Sequence, residues 1–349
     1  MKKNNEKGVF AQMIKRKMKL GTKFLCIFLV IFIGIVIYNI YDNNRFIVVE
    51  EKIVIDRLPK SFENFKILQI SDLHGAYFGK NQENLIKEIN KLDYDMIAFT
   101  GDMNSSVAVN DSEENSKAIL KLIDGIKNKE YMFWVDGNAG PYALENVNGA
   151  YTGELTDMGK VLNKKGVKIL ALPYSISRGK EKIWITPEMS KSLFEMYMQE
   201  ETPELVKWFE GKEKFDKIQT HYKESYKQLN ELYGNGEVKI MLNHYPKQLN
   251  LTTKEIKSLG DLDYELILAG HYHGGQWRLP FIGALYIPSP TAGVNGGYFP
   301  AQHAAKGLSY YGNAQQYVSA GLGASSNVPF TNFRLFNTPE INLITLKNK

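Results

Sequence analysis

Hydrophobic residues are concentrated in one long run near the start of the chain and in short, regularly spaced runs after it. Residues 24–41 read FLCIFLVIFIGIVIYNIY, without charge and with Asn39 as the one strongly polar interruption. Eighteen residues of helix span about 27 Å at roughly 1.5 Å per residue, close to the hydrocarbon thickness of a bilayer. Beyond this run, strand-like and helix-like patterns alternate. Residues 65–70 (FKILQI), 94–100 (YDMIAFT) and 131–135 (YMFWV) are predicted strands, and 167–172 a fourth. Between them, 84–92 and 115–126 carry apolar residues at helical spacing, and 152–165 is predicted as a helix. Residues 187–233 are rich in Glu, Lys and Tyr and lack strand signals, so they are expected to form two or more helices. Strand patterns return at 238–242, 264–269, 285–287, 316–320 and 341–346.

Charge sharpens the reading of the long apolar run. Residues 1–23 hold eight Lys or Arg and one acid, Glu6, while the remainder has 35 basic and 37 acidic residues. The net charge of +5 therefore belongs to the N-terminal tail. Lys15, Arg16, Lys17, Lys19 and Lys23 precede the run, and a single Arg45 follows it. The positive-inside bias then predicts a single-pass anchor in the cell membrane, with residues 1–23 as a basic cytoplasmic tail and the chain beyond about residue 45 extracytoplasmic. A cleaved signal peptide is the rival; the run is longer than a usual signal core, and no small-x-small site follows it. The near-neutral remainder gives no support to nucleic-acid binding, which needs a basic face. Cys26 is the only cysteine, so no disulfide forms within the chain, and compartment is left open by that count.

The polar residues at the strand ends are not scattered. Five successive runs end on Asp72 and His74, on Asp102, on Asn138, on His244, and on His271 and His273. Any one of these could be a turn or cap residue. Five ends rich in carboxylate and imidazole are hard to explain by capping, and ligands of open α/β sheets bind beyond the carboxyl ends of the strands. Carboxylate and imidazole suit Zn, Mn and Fe, and the lack of thiolate argues against a structural cysteine site. In Asp72-x-His74 and His271-x-His273 an extended backbone would put both side chains on one face. Seven candidate ligands exceed the needs of one cation, and two cations about 3.5–4 Å apart would use them all.

The segments S-D-L-H, T-G-D, G-N, N-H-Y-P and A-G-H-Y-H-G-G-Q, in that order, resemble the calcineurin-like metallophosphoesterases, and among these the bacterial membrane-associated branch. The later V-S-A-G-L-G and P-E-I-N-L-I-T-L add to the resemblance, which runs from about residue 65 to 346. It implies a four-layer α/β/β/α sandwich of two mixed sheets, with the site at one edge. It also implies that Asp72, His74 and His273 hold one metal, that Asn138, His244 and His271 hold the other, and that Asp102 bridges them. Two such cations acidify a shared water and offset the charge on the phosphoryl oxygens, so a hydroxide attacks in line, with Asp102 and Asn138 as the catalytic ligands.

One position departs from the pattern. The family reads Gly-Asn-His at the third strand end, whereas this chain reads Gly137-Asn138-Ala139-Gly140-Pro141. The family histidine protonates the leaving group or stabilises the transition state, and Ala139 does neither. Three readings follow: a substrate with a good leaving group, a replacement acid among Tyr142, His221 and His303, or a site that binds metal and phosphate without efficient turnover. The expected domain order is tail 1–23, anchor 24–41, linker and first strand region 42–64, and catalytic domain 65–349 with a helical insertion at about 187–235. The expected substrate is a phosphorylated small molecule or a lipid-linked or envelope phosphate. Gly274-Gly275-Gln276 reads as a tight turn. For Trp277, Phe281, Tyr286, Tyr298 and Phe299 core packing is the default, with a lipid-facing rim as the alternative.

Overall fold

The structure is a computed structural model that describes residues 2–104, 112–189, 191–234, 236–247, 264–287, 297–298, 300, 305–311, 314–325 and 332–349. His303 and Phe299 lie outside the described residues.

Two six-stranded mixed sheets form the body of the protein. The first runs Ile47–Ile55, Glu340–Asn348, Lys66–Ile70, Met96–Thr100, Met132–Val135, Val167–Ile169. The second runs Gly307–Tyr311, Ala314–Val318, Leu266–Ala269, Lys239–Leu242, Glu181–Thr186, Tyr174–Arg178. Alternation along each strand builds the layers, because successive side chains leave opposite faces of a sheet. Leu68, Ile70, Ile97, Phe99 and Trp134 pack with Leu85, Ile119, Ile123 and Leu162 of the helices Glu83–Ile89, Lys117–Gly125 and Asp157–Lys164. Their neighbours Ile67, Met96, Ala98 and Phe133 turn the other way and meet Ile183, Ile185, Ile240, Leu242, Leu266 and Leu268 of the second sheet. Met241 and Ile267, on the far face of that sheet, pack with Leu229 of the long helix Lys212–Gly234. The order is therefore helix, sheet, sheet, helix, as expected.

The strands Lys66–Ile70, Met96–Thr100 and Met132–Val135 run parallel, so their carboxyl ends lie side by side. Glu181–Thr186, Lys239–Leu242 and Leu266–Ala269 do the same in the second sheet. A buried hydrogen bond joins the two sheets at these ends: Gln69 Nε2 donates to Ala269 O, and also to Thr100 Oγ1 of the neighbouring strand in its own sheet.

Two local expectations need correction. Residues 152–165 are not one helix. Ala150–Leu155 is a strand, antiparallel to Leu144–Val147, and the helix begins only at Asp157, where Thr156 caps it by accepting from Gly159 N. The helical spacing of 158 and 162 is real, but the residues before the cap pair as a hairpin. Residues 174–186, given no element by the pattern, supply two strands of the second sheet. Helices do occupy Lys191–Tyr197, Pro203–Trp208 and Lys212–Gly234.

The N-terminal helix extends over Lys2–Asn43, and its part Gly21–Asn43 is long and apolar enough to cross a membrane, a test that a signal sequence also passes. Apolar side chains from Phe24 to Ile33 are exposed. Its last turns meet the body of the protein: Tyr38 stacks on Phe336 at 5.7 Å, and Asn43 exchanges two 2.7 Å hydrogen bonds with the backbone of Arg334. Asp42 is buried, accepts from Thr338 and pairs with Arg45 at 2.6 Å.

Candidate metal centre

All seven side chains singled out in the sequence meet at the shared edge of the two sheets. Asp72, His74 and His273 form one cluster of nitrogen and oxygen donors, and Asp102, His244 and His271 form another. His74 is half-buried and the other five are buried. The clusters touch through Asp102, whose Oδ2 lies 3.5 Å from His74 Nε2 and 3.2 Å from His244 Nε2. Asn138 Oδ1 lies 3.1 Å from His244 Nε2 and so joins the second cluster.

Backbone geometry brings the paired ligands together, though not by the route expected. Asp72, His74, Asp102, His271 and His273 all have positive φ, between 46° and 70°. The two-residue spacing converges through left-handed turns just past the strand ends, not through extended chain. Such conformations cost non-glycine residues free energy and persist where the surroundings hold them. Here Asp72 N donates to Gly101 O, His74 N to Asp102 O, and Gly270 N to His244 O. The close approach leaves no room for a side chain at Gly270, where a Cβ would overlap Ser71 Oγ and Asp72 Oδ2, or at Gly137, where it would overlap Asp102.

The donor arrangement suits cations. His74 Nε2 and His273 Nε2 face each other at 3.2 Å, and His244 Nε2 faces His271 Nδ1 at 3.1 Å. Two imidazole nitrogens that face each other can share at most one proton, and a metal ion placed against both satisfies both lone pairs. His244 Nδ1 lies 2.9 Å from Thr100 O; a carbonyl only accepts, so Nδ1 carries the proton and Nε2 is left as the ligand atom. Burial works against a charge on His244, yet Asp102, Asp72 and Thr100 O outweigh it and raise its pKa to about 9. That spot favours positive charge. Burial and the charge of His244 push His271 down to about 3, and burial with His74 and Arg334 pushes His273 well below its ordinary range. Burial opposes the Asp102 carboxylate too, but His244, His74 and the Ala139 N–H, 2.6 Å from Oδ1, leave its pKa lowered. Asp72 is raised, by burial first and then by Asp102.

These shifts predict a pH profile for the metal-stripped protein. His244 is raised, so its contribution is full below about 6.5 and is lost as pH rises through about 9. His271 is depressed, so stability falls as pH drops below about 6.5 toward about 3. Thermal melts of the chelated full chain are expected to show both flanks, and metal loading is expected to flatten the alkaline one by replacing the proton on His244.

A buried cation that sequence reasoning did not single out supports the site from behind. Arg334 is buried and donates to Asn337 O, Gly323 O and His273 O, and Asn337 Nδ2 also donates to His273 O at 2.7 Å. Nothing in the pattern around Arg334 marks it, since its partners are backbone carbonyls, and the one that ties it to the site, His273 O, is 61 residues away. Replacing it by Met removes the side-chain donors to Asn337 O and Gly323 O, at about 1–3 kcal/mol each. Loss of about 2–6 kcal/mol is expected in denaturant unfolding of the metal-loaded chain, with a lower metal affinity.

Of the replacement-acid candidates, Tyr142 donates its hydroxyl to Asn138 O at 2.7 Å. Tyr142 and His221 line one cavity of about 720 Å³ with Asn138, Tyr151, Tyr222 and Tyr245. Tyr245 was not anticipated as part of the site; its ring lies 4.6 Å from that of His271, and burial raises its hydroxyl to about 12.

Two sheets closing on a pair of Asp/His clusters are consistent with a dinuclear metal site, and the sequence profile of the calcineurin-like phosphoesterases matches residues 65–275. The chain belongs to that family. It is similar to YkuE of Bacillus subtilis (strain 168), an uncharacterized metallophosphoesterase, at 27% identity over 295 residues, which cover 83% of this chain and 82% of YkuE. YkoQ of the same organism, also an uncharacterized metallophosphoesterase, is 29% identical over 106 residues, 30% of this chain and 35% of YkoQ. Among solved structures, a candidate 5'-nucleotidase of Staphylococcus aureus aligns over 82% of this chain and 55% of that chain, at 15% identity and a TM-score of 0.37.

Proposed function

We propose that this protein is a membrane-anchored phosphoesterase that uses two divalent cations to hydrolyse a phosphate ester or phosphoanhydride. The shared position of Asp102 Oδ2, within 3.5 Å of His74 and 3.2 Å of His244, carries the reading. Asp72, His74 and His273 would hold one cation, Asn138, His244 and His271 the other, and Asp102 both. Carboxylate, imidazole and amide donors suit Mn, Zn or Fe. When bound, the pair supplies Lewis acidity to activate water and to offset phosphoryl charge. Asp102 is oriented for its task by the Ala139 N–H, and His244 by Thr100 O. Asn138 is a neutral ligand and adds no charge to repel phosphate.

The leaving group would enter the cavity beside Asn138. Its lining carries Asp136, Glu145 and Glu188 and, among the described residues, neither Lys nor Arg. Glu145 is paired with Lys214 and Glu188 with Lys247, so the lining is close to neutral and is open to an ester or an anhydride. The anchor 24–41 and the basic tail 1–23 support a catalytic domain, residues 65–349, outside the cytoplasmic face and an envelope or lipid-linked substrate. The helices between 187 and 235 would form the cavity's outer wall.

Ala139 favours a second reading, a metal- and phosphate-binding protein that signals or scaffolds at the membrane. Metal analysis of the full chain in detergent, followed by a phosphate-release screen on aryl, alkyl and anhydride substrates, separates the two. Two equivalents of metal with turnover support the enzyme. Bound metal without turnover on any substrate supports the second reading.

A further inference from the structure

Outside the N-terminal helix, large apolar side chains that are exposed stand singly, with one exception among the described residues. Phe281 and Ile282 are adjacent in sequence and are 109% and 55% exposed. They form the tip of a small three-stranded sheet, Trp277–Leu279, Gly283–Ile287, Gly297–Tyr298, whose Tyr298 is 81% exposed as well. Single exposed apolar residues need no explanation, whereas a pair at a protruding turn does. Core packing, the default for these positions, does not describe Phe281 or Tyr298.

The place of this sheet supplies the explanation. Trp277 bridges to Leu335, Arg278 N donates to Leu335 O, and the Trp277 indole donates to Phe333 O. The segment thus gripped is the one that rests on the N-terminal helix: Phe336 stacks on Tyr38, and Arg334 is hydrogen-bonded to Asn43. Tyr38 lies five residues before the helix end, about 7.5 Å along the axis. In a spanning helix that is the depth of the headgroup boundary, where tyrosine and tryptophan concentrate. The turn at 280–282 begins a few residues from this contact. Residues 277–287 contain one Arg and no carboxylate.

We propose that the turn Pro280-Phe281-Ile282 seats in the headgroup region of the same bilayer that the N-terminal helix enters. The domain then touches the membrane at two points, the helix and this turn. His273, a candidate ligand, is bonded through Arg334 and Asn337 to the segment between them, so the metal centre is held at a fixed height above the lipid. This inference rests on the anchor reading.

Site-specific labels test it in the full chain, reconstituted in phosphatidylcholine–phosphatidylglycerol nanodiscs carrying nitroxide lipids. The native Cys26 takes an environment-sensitive fluorophore directly and reports the helix. In a Cys26→Ser background, Phe281→Cys reports the turn and Trp208→Cys, exposed on a helix elsewhere, is the reference. Because all three labelled side chains are exposed, the fold is not disturbed. Nitroxides near the headgroup are expected to quench most of the emission at 281 and little at 208, and acyl-chain nitroxides to quench Cys26. Quenching at Cys26 with a 281 signal no stronger than that at 208 would overturn the seating and leave the anchor standing. No quenching at either position would overturn both.

Discussion

Replacing Asp102 by Asn is expected to leave the full chain folded, to lower its metal content, and to cut phosphate release by on the order of a thousandfold. The side chain keeps its shape, and Oδ1 can still accept from the Ala139 N–H. What is lost is the negative charge between the two clusters. Asp102 is the only carboxylate of its cluster and also the nearest one to His74 in the other, and both contacts run through Oδ2. An amide nitrogen turned toward His74 and His244 would present protons where lone pairs have to converge on a cation. The stabilisation a two-metal site gives the transition state is worth several kcal/mol, about tenfold in rate for every 1.4 kcal/mol. Elemental analysis with an activity assay on the same preparation checks this. A variant that keeps two equivalents of metal and its activity would end the case for Asp102 as the shared ligand.

The reverse change is expected at the neighbouring position. Ala139→His should raise hydrolysis of an alkyl phosphate ester by up to about a hundredfold, and that of an aryl ester by far less, because a positioned acid is worth on the order of 10²–10⁴ where the leaving group is poor. Ala139 is buried, with its backbone N–H bonded to Asp102, and the residue before it, Asn138, lines the cavity that would take the leaving group. An equal gain for both esters, or none, would show that loss of the family histidine is not what limits this site. The ratio of the two rates is the readout, since a change in metal loading would move both together.

The sequence made the site more legible than the scaffold. Asp72, Asp102, His244 and His271 each follow an apolar run that ends at the sheet edge, so period and position together point to them. Arg334, Gln69 and Thr100 carry no comparable signal. Their partners are backbone atoms or side chains brought close only by the closed sandwich, such as Ala269 O for Gln69 and His273 O for Arg334. The left-handed backbone at five candidate ligands was equally hidden, because only a few per cent of non-glycine residues take positive φ, even with Asp and His enriched among them. Strand Tyr174–Arg178 escaped because it is an edge strand with Ser and Arg among its apolar residues, and Glu181–Thr186 because its apolar run is only the three residues Ile183-Trp184-Ile185. The hairpin at Leu144–Val147 and Ala150–Leu155 was masked by the amphipathic helix that follows it, whose spacing reads backward past the cap at Thr156.

The strand Glu340–Asn348 lies between Ile47–Ile55 and Lys66–Ile70, as the second of six in a sheet whose other members come from the first half of the chain. Until those late residues have been synthesised, the two early strands present bare edges with no partner for their amides. The first sheet cannot close while the chain is still emerging, and long-range pairings of this kind are slow to form. A nascent polypeptide in that state needs protection from self-association until the closing strand arrives.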